Sequence, residues 1–211
     1  VSLALIQPQF APNLFDLSAM MKADKVVLLD KDVWSRKGRT HRAMIRNEEG
    51  SQWINIPILT KDKKKPINVV RIDHSEPWFE AFWNGILHNY SNAMYFDHLQ
   101  DELYANLKAA SHSEKLIDFD LTVFRFLMNL MEVEISFDLA SETSFDLNEH
   151  STIYQEYASK NYIRQLEEAE TALAKHPEYR QAVPGFESEC SCLDLLLNYG
   201  GESFKVLELL R

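Results

Sequence analysis

Glycine is scarce in this chain, with six among 211 residues. No Gly-x-Gly-x-x-Gly fingerprint, Walker loop or nucleophile elbow can be found, so a phosphate cradled by a glycine-rich turn is excluded. Cysteine is nearly absent. Cys190 and Cys192 stand two residues apart, a poor spacing for an intrachain disulfide and half of a structural zinc's ligand set. They are expected as reduced, semi-buried side chains in a reducing compartment. Positive charge is outnumbered: 22 Lys and Arg against 32 Asp and Glu leave a net charge of −10. Binding to nucleic acid needs a basic face, so nucleic acid is not an expected partner, although a local basic pocket for a small anion stays compatible. Long apolar runs are missing too. No window approaches the roughly 18–20 residues that cross a bilayer, and 121–131 is broken by Arg125 and Asn129. Residues 2–6 are too short for the apolar core of an export leader. A cytoplasmic protein without a membrane span is expected.

What is present is a large apolar complement, 45% hydrophobic and 11% aromatic residues, enough for a core without metal or disulfide staples. Residues 3–6 form a short β-type run stopped by Pro8 and Pro12. Asn13 offers an N-cap, and Leu14, Leu17, Met20 and Met21 recur at helical spacing. Residues 26–29 read as a second buried strand ending at Asp30, which predicts a βαβ unit with parallel strands at the centre of a sheet. Strands are predicted at 41–46, 53–58 and 67–72, the first two as a hairpin around 47–50 and the basic run 61–65 as a solvated tip. From Pro77 onward the pattern turns helical: a helix opening with Trp78, then 96–107, 113–131, 154–174, 192–199 and 202–210. The acidic, weakly periodic stretch 136–150 reads as a loop or lid, and Gly200 and Gly201 as a helix stop. The fold class is α/β, with an N-terminal βαβ unit and a small mixed sheet extended by a β-meander, followed by a mainly helical C-terminal half. One domain is expected over 1–211, sheet-rich over 1–75 and helix-rich over 76–211.

Several short patterns run through the chain in order. Gln7-Pro8-x-Phe10 follows the first strand, and Asp30 ends the second. Arg39-Thr40-His41-Arg42-x-x-Ile45 precedes Trp53-x-x-x-Pro57, and Trp83-Asn84-x-Ile86, Tyr90 and Tyr95-Phe96 come later. Leu116-x-Asp118-Phe119 opens a helix, and Tyr179-x-Gln181 precedes Ser191-Cys192-Leu193-Asp194-Leu195-Leu196-Leu197-Asn198-x-Gly200. This order and spacing resemble the WbqC-like family of bacterial proteins over nearly the whole chain. The resemblance implies an association with surface-polysaccharide or O-antigen gene clusters and a transferase role. Two departures stand out: His41 replaces a family Asn, and a plain charged stretch at 154–176 stands where longer members carry a Gly-rich insert.

The densest local signal is Arg36, Lys37, Arg39, His41 and Arg42, four permanent positive charges and a histidine within seven residues. It follows the carboxyl end of a presumed central strand, where open α/β sheets place ligands. Arginine forks match phosphate oxygens, so a small anionic ligand such as a nucleotide-sugar suits Arg39 and Arg42. A solvated loop pairing with surface acids is the plainer account. Gln7 and Phe10 leave the first strand at the same edge, where the amide offers a donor and an acceptor or merely shapes a turn. Asp30 and His41 are the candidate catalytic proton carriers, although Asp30 also suits a simple chain turn. Asp194 and Asn198, four apart on one helix face, are either a buried structural network or substrate contacts. His88, His98 and His112 lack metal-site spacing, and the aromatic group from Trp78 to Trp83 reads as core. No resident cofactor is evident; Mg²⁺ accompanying a diphosphate is the one metal this reading admits. Two functions follow: a transferase using a nucleotide-activated sugar or acyl-type donor, or a non-catalytic scaffold subunit of a polysaccharide-assembly complex.

Overall fold

Residues 2–144, 151–155 and 178–209 are described by the structure, a computed structural model. Strand β1 (Ser2–Ile6) leads through helix α1 (Leu14–Lys22) to β2 (Lys25–Leu28). The two strands pair in parallel, Leu3 opposite Lys25 through Ile6 opposite Leu28. Alternate side chains divide between the sheet's faces. Ala4, Ile6, Val26 and Leu28 join the main core, while Leu3, Leu5 and Val27 form a smaller cluster with Ala140. Asn13 caps α1 by accepting the Asp16 amide at 2.9 Å. The predicted βαβ unit is therefore present and central.

Two further strands flank it, β5 (Asp138–Leu139) against β2 and β6 (Ser151–Gln155) against β1, both parallel. The order is β5-β2-β1-β6. Successive strands step one way from β1 to β5, then jump across β1 to reach β6. Such a reversal makes a topological switch point at the carboxyl end of β1. Strands β3 (Arg42–Asn47) and β4 (Gly50–Asn55) form the expected antiparallel hairpin, but as a separate two-stranded sheet.

Helices α2 (Trp78–Tyr90), α3 (Phe96–Ala110) and α4 (Leu116–Leu130) carry the aromatic core. Phe10 meets Phe82 and Phe119 with ring centroids 5.8 and 5.5 Å away, and Trp78 closes on both partners. Burying one such ring contributes about 1.5–3 kcal/mol. Helix α5 (Cys192–Tyr199) is buried on nearly all sides, which suits a core helix rich in leucine. Its first amide, on Cys192, donates to Pro12 O at 2.8 Å, and Ser191 N donates to Met44 O at 2.8 Å, so it ties the loop after β1 to the hairpin. Gly200, with φ +56, ends it; a Cβ there would collide with the Tyr95 ring. Helix α6 (Ser203–Glu208) follows. Among the described residues no helix is long and apolar enough to cross a membrane.

The structure differs from expectation in three places. Residues 67–72 form no strand. Ile67–Val69 is a 3-10 turn whose Ile67 and Asn68 amides donate to Asp32 O and Asp30 O, leaving no ladder to extend. In the run 61–65 the side chains of Lys61, Lys63 and Lys64 are exposed, as a solvated segment requires, while the shielded Asp62 carboxylate accepts three hydrogen bonds from Arg71, one of them from its backbone amide, and one from Lys65. Those bonds hold the Asp62 carboxyl below the usual carboxylate range. Within 136–150, Asp138–Leu139 is a sheet strand, and Tyr154 and Gln155 belong to β6 rather than a helix. The rest of the helix expected at 154–174 lies outside the described residues.

Asp120 is the one wholly buried carboxyl of α4, and neither of its oxygens has a hydrogen-bond partner. Burial pushes its pKa well above the ordinary carboxylic value, so it favours the protonated form. A raised folded pKa costs stability as pH climbs above the unfolded value of about 3.9, because only the unfolded chain then sheds the proton. Asp120→Asn should leave the melting temperature little changed at pH 4 and raise it by several degrees at pH 8, about 2–4 °C for each kcal/mol. Differential scanning calorimetry across that range checks the sign.

Candidate functional site

The chain leaves β1 as Gln7-Pro8-Gln9-Phe10, and the two glutamines are buried polar groups with built-in partners. Gln9 Nε2 donates to Asp16 at 2.8 Å. An acidic side chain in the first turn of α1 is therefore already fixed there, so this helix N-terminus is no place for a phosphate. Gln7 Nε2 donates to Asp32 Oδ2 at 3.0 Å, and Gln7 Oε1 lies 3.5 Å from where a Gly38 Cβ would stand. The exit of β1, the exit of β2 and the arginine loop thus meet on one amide at the switch point.

The arginine loop splits its charges. Arg36 and Lys37 are exposed, whereas Arg39 is only 6% exposed and Arg42 is half-buried. Arg42 Nε donates to Gly38 O at 2.9 Å and Arg42 Nη2 to Lys37 O at 2.6 Å, which curls the loop into a hook. The Arg42 guanidinium lies 4.0 Å from the centre of the Trp53 ring and that of Arg39 lies 5.5 Å from it. Two cations share one indole. Burial, then Arg39 and Arg36, hold the Arg42 pKa below its ordinary value. Glu189, half-exposed, approaches Arg39 at 3.9 Å, an outer-limit ion pair. Trp53 also lines a cleft of about 380 Å³ with Pro57, Trp78 and Gly85.

His41 follows the same loop and is 7% exposed. Its ring meets Trp34 edge-on with centroids 4.8 Å apart. His41 Nδ1 and Trp34 Nε1 are both buried without a hydrogen-bond partner. Burial, and secondarily Arg42, lower the His41 pKa to about 4, so the imidazole is neutral at pH 7.

The other candidates divide differently. Asp30 is shielded from solvent; its carboxylate accepts the Ser141 amide at 2.8 Å and Asn68 Nδ2 at 3.4 Å, which binds three loops at the sheet's carboxyl edge. Phe10 is in the aromatic core. Asp194 and Asn198 lie in a separate network: Asp194 accepts Tyr90 Oη at 2.9 Å, Tyr179 Oη at 2.7 Å and Gln181 Nε2 at 2.9 Å. Asn198 donates to Asp194 O at 2.7 Å. Burial raises the Asp194 pKa against the pull of those donors. Cys190 and Cys192 are free and buried, with burial pushing the Cys192 thiol up to about 12, so both are unreactive thiols at neutral pH. Among the described residues no three His, Cys, Asp or Glu side chains converge as a metal-binding group. Sequence reasoning missed Asp32, Trp34 and Gly38; the first stands two residues beyond Asp30, in the loop leaving the same strand.

Comparison with known proteins adds two findings. The model of the WbqC-like protein family matches residues 7–206. An uncharacterised protein of Mycobacterium tuberculosis (strain ATCC 25618 / H37Rv), Rv1507c, is 26% identical over 226 residues, covering 95% of this chain and 94% of that protein. No solved structure matches the chain.

Two outcomes follow from this geometry. His41 binds its proton less readily when folded, so stability tied to it is complete above about pH 6.5 and is lost as pH falls toward 4. His41→Gln should flatten the fall in melting temperature over that window, and an NMR titration of His41 should give a midpoint near 4. Tyr179→Phe leaves the Asp194 carboxylate short of one donor; a lost hydrogen bond to a charged group costs about 1.5–3 kcal/mol. Chemical denaturation should show that loss of stability.

Proposed function

Because the chain belongs to the WbqC-like protein family, we propose that it is a transferase using a nucleotide-activated sugar or acyl-type donor in bacterial surface-polysaccharide (O-antigen-type) biosynthesis. The observation that carries this reading is the pair Arg39 and Arg42 on the single ring of Trp53, at the carboxyl edge of a parallel sheet. Like charges held this close repel, and a bound diphosphate relieves that repulsion. The cleft beside Trp53 gives a donor's apolar or aromatic part a wall to lie on. Arg39 and Arg42 bind the anion, and Gln7 holds the loops around it. His41 is the proton acceptor in preference to Asp30, whose oxygens are already engaged by Ser141 and Asn68. Burial is the main cause of the low His41 pKa and the Arg42 charge the second; an anion beside Arg42 offsets the second, so ligand binding makes the imidazole a stronger base. Any Mg²⁺ arrives on the diphosphate as part of the ligand.

The test is a thermal-shift and calorimetric screen of the purified protein against nucleoside diphosphates and nucleotide-sugars. A ligand at 100 times its dissociation constant stabilises the fold by about 2.7 kcal/mol. One nucleotide class should bind, with affinity lost by tenfold or more in Arg42→Ala and the His41 titration moving up from its ligand-free midpoint. A folded protein that binds none of them removes the anion site, and the scaffold role then takes its place.

A further inference from the structure

The carboxyl ends of β2 and β5 open on a cleft of about 400 Å³ lined by Leu29, Lys31, Asp32, Ala140, Thr143 and Ser144. It adjoins the arginine loop, because Asp32, on its wall, is the residue to which Gln7 donates. The wall is rigid where it matters. The Asp32 amide donates to Leu29 O at 3.2 Å, its carbonyl accepts the Ile67 amide at 2.9 Å, and Gln7 fixes one carboxylate oxygen. Across the cleft, the Glu142 and Thr143 amides both donate to Leu139 O at 3.0 Å, a tight turn that carries Thr143 and Ser144 at the end of β5.

The chemistry of this lining selects among ligands. A carboxylate on the wall disfavours a second phosphate, and no aromatic ring lines the cleft among the described residues to stack a nucleobase. One carboxylate, one ammonium and two hydroxyls around the aliphatic patch of Leu29 and Ala140 suit a neutral polyol: hydroxyls for the polar groups, C–H bonds for the patch. We infer that this cleft is a sugar subsite, in which Asp32, oriented by Gln7, accepts hydrogen bonds from the sugar's hydroxyls and Thr143 and Ser144 complete the ring of partners. The inference rests on the neighbouring arginine pair being the anion subsite, and it makes Gln7 the divider between the two. Asp32 is a specificity-determining residue here, not a proton carrier.

The cleft can be tested without a nucleotide. Saturation-transfer NMR on the full chain, with the methyl glycosides of glucose, galactose and N-acetylglucosamine at tens of millimolar, reads contact to sugar ring protons directly. At least one glycoside should receive transfer in the wild type. Asp32→Ala and Thr143→Val should each lower it at least tenfold, with melting curves confirming that they fold. Thr143 is half-buried in a turn whose other residues are exposed, so its variant stands even if Asp32→Ala unfolds. Absence of transfer to all three glycosides in the wild type, or transfer that persists in both variants, overturns the sugar subsite. Neither result touches the arginine pair, which fails only if nucleotide binding is absent or survives Arg42→Ala.

Discussion

The buried carboxylate of Asp194 organises the molecule. Tyr90 comes to it from α2, Tyr179 and Gln181 from the segment before α5, and Asn198 braces the same helix from one turn on. Tyr90 Oη also accepts the Arg46 amide at 2.9 Å, which carries the network into β3. A carboxylate buried with its donors is costly to disturb, since removing a partner leaves charge without compensation. Helix α2, helix α5 and the hairpin are therefore locked to one point, and the hairpin in turn places Trp53 under Arg39 and Arg42. The site at the sheet edge depends on a carboxylate that belongs to a different network.

The paired arginines are a local inversion of an acidic protein. With a net charge of −10, the surface repels anions at long range, yet two guanidinium groups are half or wholly sheltered against one indole. Shelter matters because exposed charges are screened within about 8 Å at physiological salt, whereas partly buried ones are not. An anion held at that pair, as proposed, would be selected by close contact rather than by long-range attraction.

How much of this was readable from the chain depended on how local each signal is. The βαβ unit was legible because two short apolar runs, the Asn13 cap and helical spacing are all written within thirty residues. β5 and β6 were not: one is two residues long in an acidic stretch, and both owe their existence to a distant edge rather than to their own sequence. Residues 67–72 have strand-like side chains, but their amides are spent on the loops of Asp30 and Asp32. In the site, Arg39, Arg42, His41 and Gln7 stood out by type and crowding, and the structure draws them to one edge. Phe10 shared their motif and went to the core. Asp32 escaped notice because a carboxylate in a loop looks like solvated surface until its glutamine partner is seen.

The pairing of β1 with β6 has a consequence for how the chain is made. Ser2 lies opposite Ser151, so β1 waits for about 150 further residues before its second neighbour exists. Until then β1 and β2 present bare hydrogen-bonding edges, and α5, which receives the loop after β1, is still later. Folding during synthesis therefore cannot finish at the N-terminal half. Those edges are covered only once residues 138–139 and 151–155 have been added.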